Sequence, residues 1–179
     1  KLYSFLHEME FNRLLSSVIS TYGEVNFSNK NQKINKNDSK HKISKKNYKL
    51  IENESEIKEW LAEAEENGEI SIDTETTSLD PHQAKLVGIS LSTKPGIACY
   101  IPLNHSKGKN LEEAKIIETL KPILEDKSIK KIGQNIKFDN IILKKHNINV
   151  EPLEDTMLVS YTLDAGINRH NLDTLSEIH

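Results

Sequence analysis

Ile70-Ser71-Ile72-Asp73-Thr74-Glu75-Thr76-Thr77-Ser78-Leu79-Asp80 is the stretch on which the reading of this chain turns. Ile70 to Thr74 alternates apolar and polar residues as a half-buried strand does, and side chains two apart on a strand share a face. Asp73 and Glu75 therefore point together, while Ile70, Ile72 and Thr74 point the other way. Two carboxylates on one face repel each other, and the pair persists most easily with a divalent cation between them. Ligands that are all oxygen favour Mg²⁺ or Mn²⁺ over zinc. On Asp73-Thr74-Glu75-Thr76 alone, a solvated strand end with a capping aspartate explains the residues equally well.

Around this strand the pattern predicts a layered domain from Leu50 onward. Ser55 to Asn67 reads as a helix with Ile57, Trp60, Leu61 and Ala64 on one face and Gly68 as its stop. Lys85 to Thr93 and Gly96 to Leu103 read as two further strands. Turn signals at Asp80-Pro81 and Pro95-Gly96 make a three-stranded antiparallel meander with the first. Leu111 to Leu124 has helical spacing, Lys130 to Gly133 is a short strand, and helices follow over about Phe138 to His146, Asp155 to Leu163 and from Leu172. Strands followed by alternating helices around a mixed sheet predict an α/β layer fold.

A third acid strengthens the first pair. Lys130 to Asp139 runs as a short strand, Gly133, then a helix start presenting Asn135 and Asp139, which at four residues' spacing share a helical face. Taken alone Asp139 reads as a surface acid, and Asp155, at another helix start, as an N-cap.

The remaining sequence is less ordered in character. Residues 1–20 carry an apolar stripe at helical spacing, too short to be stable unpartnered in water. Asn26 to Lys49 holds eight lysines and six asparagines against one acid, Asp38. Such a segment cannot bury enough apolar surface to offset its ordering entropy, so it reads as a flexible linker, with a cationic arm on DNA phosphates as the sharper alternative. Of the 179 residues 36% are hydrophobic, and even with the seven glycines added the apolar share stays below the roughly 45–50% of typical globular domains. A single cysteine, Cys99, excludes an internal disulfide and a multi-cysteine zinc site. No apolar run approaches the roughly 20 residues that span a bilayer, and no secretory leader is evident. The net charge of −3 gives no broadly basic surface, so any nucleic-acid contact is local or metal-assisted. The chain opens at Lys1 and closes at His179 inside apolar helical patterns, which reads as a piece of a longer protein.

Taken in order, Ile-Asp-Thr-Glu-Thr-Thr-Ser-Leu-Asp (72–80), Leu-Val-Gly-Ile-Ser (86–90), Tyr-Ile-Pro-Leu (100–103), Ile-Gly-Gln-Asn-Ile-Lys-Phe-Asp (132–139), Asp-Thr-Met-Leu (155–158) and Arg-His-Asn-Leu (169–172) resemble the 3′→5′ proofreading exonuclease domains of bacterial family A DNA polymerases. Glu-Met-Glu-Phe-Asn-Arg-Leu-Leu (8–15) resembles the end of the 5′-nuclease domain in the same proteins. The resemblance implies a ribonuclease-H-like mixed sheet flanked by helices, of the DEDD exonuclease superfamily, preceded by a disordered linker and a short helical remnant. It divides the chain into a 5′-nuclease remnant (1–25), a linker (26–49) and a C-terminally truncated exonuclease domain (50–179).

The same resemblance implies roles for individual residues. Asp73 matches the acid that bridges two metal ions, Glu75 the one that binds the first and helps orient the attacking water, and Asp139 the one that serves the second. The ions are two Mg²⁺ or Mn²⁺, which would activate water and stabilise the leaving 3′-oxygen. Thr76, Leu79, Gln134, Asn135, Phe138 and Arg169 match positions facing the single-stranded or frayed 3′ end, with Leu79 wedged against the terminal base. Phe138 stands where tyrosine is frequent, so a hydroxyl is lost there. The implied partners are DNA and the polymerase and 5′-nuclease domains of one parent chain, monomeric, cytoplasmic and nucleoid-associated. The family's closing Tyr-x-x-x-Asp motif does not occur in the 179 residues; Tyr161-Thr-Leu-Asp164 has the wrong spacing, and Tyr161 reads as a packing residue. The chain alone is therefore expected to be nearly inert. Two other readings share these acids: an RNase D-like RNA-trimming exonuclease, which would lack the N-terminal remnant, and a catalytically silent domain that only braces the polymerase.

Overall fold

The computed structural model describes residues 1–23 and 47–178. Apart from Asn47 to Lys49, the expected linker lies outside the described residues. Leu2–Glu8 (α1) and Asn12–Tyr22 (α2) belong to a unit of their own. The one helical stretch expected there is broken at Met9 to Phe11, where Glu10 takes a left-handed φ of 57°. Phe5 and Phe11 pack edge to face across the break, with ring centroids 6.3 Å apart. No described helix is long and apolar enough to cross a membrane.

The second unit is built on a six-stranded sheet in the order β1-β4-β3-β2-β5-β6. Its strands are Tyr48–Leu50 (β1), Glu69–Thr76 (β2), Leu86–Lys94 (β3), Ile97–Pro102 (β4), Lys130–Gly133 (β5) and Leu153–Asp155 (β6). β2, β3 and β4 form the expected antiparallel meander, while β1, β5 and β6 add to it in parallel. The two edge strands have no counterpart in the sequence reading. Each is three residues long, too short for a period of two to show. β1 also draws Tyr48 and Lys49 into the sheet, ahead of the start expected at Leu50.

The helices Ile57–Asn67 (α3), Glu113–Glu125 (α4), Lys137–Lys145 (α5), Thr156–Leu163 (α6) and Leu172–Ile178 (α7) complete the unit. The helix α3 buries Ile57, Trp60, Leu61 and Ala64, a stripe that returns every three or four residues. It stops at Gly68, whose φ of 70° favours glycine and whose N–H reaches the Ala64 carbonyl. The buried residues of α3, α4 and α5 join those of β2, β3 and β4, including Ile70, Ile72, Ile89, Leu91 and Ile101, in one core. β2 alternates as read: Ile70, Ile72 and Thr74 are buried against that core, and Asp73 and Glu75 are exposed on the opposite, open face.

Lys131 is the largest side chain fully enclosed in the unit. Its ammonium donates to the carbonyls of Asp126 at 2.5 Å, Ile129 at 2.7 Å and Glu151 at 2.5 Å. All three protons are thus matched, which is what makes a buried lysine tolerable.

Candidate active site

The site grows from the far end of β2. β5 pairs with β2 only over Glu69 to Ser71, so the strand's edge is open beyond that point. A backbone N–H left there needs an acceptor. At Gly133 the chain leaves β5 so close to β2 that an added Cβ would sit 3.0 Å from the Ile72 carbonyl oxygen and 3.0 Å from the Ile136 side chain. Asn135 then turns through a left-handed φ of 54°, its N–H donating to Asp155 Oδ1 at 2.9 Å. α5 therefore starts with Asp139 at the open edge, where its Oδ1 accepts the Thr74 N–H at 2.8 Å and the Thr74 hydroxyl at 2.6 Å.

Asp139 is thereby bonded to Thr74, the residue between Asp73 and Glu75 on β2. Asp139 lies one peptide unit from Asp73, and only 3% of its surface is exposed. Although Asp73 as a whole is exposed, partial burial of its carboxyl pushes it up to about 6 from an ordinary 3.8, and the negative charges of Asp139 and Glu75 push the same way. Burial also holds the Asp139 carboxyl above its ordinary range, against the two Thr74 bonds that favour its ionised form, while the charge of Asp155 adds repulsion. Among the described residues, no group of three or more His, Cys, Asp or Glu side chains stands ready to hold a metal ion. The geometry gives a reason: Asp139 Oδ1 is engaged by the Thr74 N–H and by a hydroxyl on the core side of β2, while Asp73 and Glu75 project from the opposite face.

Two further features flank the acids on that face. Glu75 pairs with Gly88 on β3, and Asp73 with Ser90, which pairs in turn with Tyr100 on β4. The Tyr100 ring lies over Gly88, where a Cβ would fall 1.9 Å from the phenol oxygen, so no side chain fits there. That hydroxyl shares a 2.7 Å hydrogen bond with His105 Nε2. Burial, and after it the charge of Glu75, raise the Tyr100 phenol above its ordinary pKa. On the other side a cleft of about 320 Å³ opens beside Asp73, bordered by Ser71, Ser90, Gln134, Thr156 and Leu172.

The other expected contact residues are placed unevenly. Leu79 is 96% exposed at the tip of the β2–β3 loop. Thr76 donates its hydroxyl to the Ser78 carbonyl within that loop. Gln134 borders the cleft, but its amide is committed, donating to the His170 carbonyl at 2.8 Å and accepting from the Thr156 hydroxyl at 2.6 Å. Asn135 precedes α5 in a left-handed turn and does not share a helical face with Asp139, contrary to the spacing argument. Phe138 is half-buried and packs on the core, and Arg169 is exposed next to the buried His170. Tyr161 stacks on the His170 ring with centroids 3.8 Å apart, which agrees with a packing role. Asp155 caps α6 through Met157 N–H. Burial pushes the Cys99 thiol up to about 12, far from nucleophilic.

Sequence reasoning missed Thr74, which appeared only as a core residue, and Gly88 with Tyr100. For the last two a signal existed, since glycine inside a strand marks a close approach by another group.

A family model described as 3′-5′ exonuclease, of the DNA polymerase A type, matches residues 48–178. DNA polymerase I of Rhizobium leguminosarum is 39% identical over 138 residues, covering 66% of this chain and 14% of the polymerase. DNA polymerase I of Pseudomonas aeruginosa is 38% identical over 135 residues, covering 72% of this chain and 15% of the polymerase. The chain thus spans about one seventh of the length of these relatives. Among solved structures, Escherichia coli RNase D, an exoribonuclease involved in structured RNA processing, superposes with a TM-score of 0.52 at 19% identity, over 68% of this chain and 30% of its own. Brucella melitensis NrnC with bound Mg²⁺ superposes with a TM-score of 0.50 at 24% identity, over 70% of this chain and 56% of its own. The likeness to both is one of fold, and it agrees with the ribonuclease-H-like α/β layering expected from the sequence.

Proposed function

The chain belongs to the 3′-5′ exonuclease family of the DNA polymerase A type, and on that premise we propose that its folded domain hydrolyses phosphodiester bonds at single-stranded or frayed 3′ ends of DNA. The observation that supports this most directly is the pair of hydrogen bonds that ties Asp139 to Thr74, between Asp73 and Glu75 on β2. The donors of these three acids are carboxylate oxygens throughout, and burial, with repulsion from Asp139 and Glu75 after it, raises the Asp73 carboxyl, which suits a hard divalent cation. Asp73, Glu75 and Asp139 would hold two Mg²⁺ or Mn²⁺, which supply an activated water and charge stabilisation at the leaving 3′-oxygen.

The chain's own residues do the rest. Glu75 orients the water, and the cleft beside Asp73 receives the terminal nucleotide. Leu79 presents an apolar tip to the last base, while Arg169, with Thr76, Asn135, Gln134 and Phe138, lines the strand's approach. For Gln134 this contact requires exchange of a bond it now makes within the fold. The parent is proposed to be a DNA polymerase I, with residues 1–25 from its 5′-nuclease domain, residues 26–49 as linker and the rest as exonuclease.

The test is release of labelled 3′ nucleotides from a mismatched primer by this domain in a polymerase I chain that carries Tyr-x-x-x-Asp. Release should need Mg²⁺ or Mn²⁺, stop in EDTA and be nearly abolished by Asp73→Ala, with polymerisation largely intact. Full activity of Asp73→Ala, or digestion that persists in EDTA, overturns the proposal. Preference for RNA 3′ ends would instead favour the RNase D-like reading.

A further inference from the structure

Outside the acid cluster, α5 makes a second grip on the segment that follows β2. Lys145, the last residue of α5, donates from Nζ to the carbonyls of His82 and Ala84, each at 2.9 Å. Both carbonyls belong to the loop that joins β2 to β3 and carries Leu79 at its tip. Among the described residues, the loop's other hydrogen bonds run within it, and Ala84, near its end, packs into the core. Its neck closes through Thr77 N–H to the Lys85 carbonyl at 3.0 Å and Lys85 N–H to the Thr77 hydroxyl at 3.0 Å. Asp80 ties the turn together, accepting from His82 N–H at 2.9 Å and from the Gln83 amide at 3.0 Å. These bonds fix the shape of the loop and Ala84 anchors its end in the core, while Leu79, Asp80, His82 and Gln83 stay exposed.

Helix α5 therefore holds one strand-and-loop unit at two points: at its start Asp139 grips Thr74, and at its end Lys145 grips the loop beyond it. We propose that Lys145 is a positioning residue that sets where the Leu79 tip stands relative to Asp73, Glu75 and Asp139, and through that the preference for unpaired over paired 3′ ends. The inference rests on the exonuclease reading given above. The physical argument is one of rigidity. A residue as exposed as Leu79 has no packing of its own to hold it, and a displacement of about 1 Å is enough to spoil a positioned contact. Two charge-assisted bonds from an ammonium to carbonyls supply the missing restraint. They are also replaceable in kind by a guanidinium, which has five donors, and irreplaceable by an alkyl chain.

The experiment uses the whole 179-residue chain and measures binding, so it does not depend on turnover. Anisotropy of fluorescein-labelled DNA in Mg²⁺, with a phosphorothioate as the last linkage, gives the affinity ratio between a single-stranded 3′ tail and a fully paired end. Amide exchange reports the loop independently. Lys145→Met should lower that ratio about tenfold, which corresponds to roughly 1.4 kcal/mol, and should speed exchange at Gln83 and Ala84. Lys145→Arg should restore both, and Lys144→Met, which removes the same charge one residue earlier, should leave both unchanged. In a Leu79→Ala background Lys145→Met should no longer alter the ratio, because it acts through the tip. Lys145→Met behaving like Lys144→Met, or acting equally without Leu79, overturns the inference while leaving the exonuclease reading intact. A wild-type chain with no preference for unpaired ends refutes that reading, and the inference falls with it.

Discussion

Replacing Thr74 by valine tests the hinge of the site without any need for catalysis. The two side chains have nearly the same shape, so the change removes the 2.6 Å bond to Asp139 Oδ1 and leaves the 2.8 Å bond from the Thr74 N–H. Hydrogen bonds to charged groups are worth about 1.5–3 kcal/mol, and Asp139 is too buried for water to replace the lost donor. The expected loss of stability near pH 7.5 is therefore about 1.5–3 kcal/mol. The sign of its pH dependence follows from the folded-state carboxyl lying above its ordinary value. The native state binds that proton more tightly than the unfolded chain, so the contribution of Asp139 to stability falls as pH rises through the folded value. Thr74→Val raises the folded value further, because the lost bond favoured the ionised form. Its cost should therefore be greatest at neutral pH and shrink once pH falls below that value and Asp139 is protonated in both proteins. Urea unfolding at a series of pH values from 7.5 downward measures this. Thr74→Ser, which keeps the hydroxyl, should retain the pH profile and lose only about 1 kcal/mol of buried methyl. A Thr74→Val cost below about 0.5 kcal/mol at pH 7.5, or one that stays constant over the whole series, would refute the reasoning.

Three other outcomes are expected. Lys131→Met should destabilise the sheet domain by about 2–4 kcal/mol in thermal or urea melts, because three carbonyls lose their donor at once in a site without solvent. Gly88→Ala should be strongly destabilising alone, since its Cβ would fall 1.9 Å from the Tyr100 hydroxyl, and much less so combined with Tyr100→Ala, a coupling that a double-mutant cycle reads directly. Mg²⁺ or Mn²⁺ should raise the melting temperature at pH 7.5, by an amount equivalent to about 1.4 kcal/mol at ten times the dissociation constant. Asp73→Asn should lose that response while melting no lower than wild type in EDTA, because the carboxyl it replaces is pushed up to about 6 and its ionisation disfavours the fold as pH rises from about 4 to about 6.

The core of this architecture was legible because its signals are periodic. β2 alternates through eight residues, and α3 returns its apolar stripe every three or four, so both could be read from spacing alone. β1 and β6 escaped because three residues carry no period, and they exist only because neighbouring strands offer open edges. The same-face argument placed Asp73 and Glu75 correctly. It failed for Asn135, where the left-handed turn that aims α5 at β2 puts that residue off the helix. Thr74 looked like a core threonine because its face was right. That its hydroxyl meets a carboxylate from 65 residues away depends on where β5 stops pairing.

That stopping point links fold to site. Were β5 two residues longer, its ladder would occupy the edge where the Thr74 N–H now points, and Asp139 would have no partner there. The shortness of β5, the close passage at Gly133 and the turn at Asn135 together trade two ladder bonds for a buried acid beside Asp73. The exchange is unfavourable by itself, since it concentrates negative charge and raises the Asp73 carboxyl. Functional sites commonly sit at such departures from the local optimum, where the surrounding core supplies the stability the site gives up. Here that core is the apolar layer between the sheet and α3, α4 and α5, and Lys145 extends its grip to the loop beyond the acids.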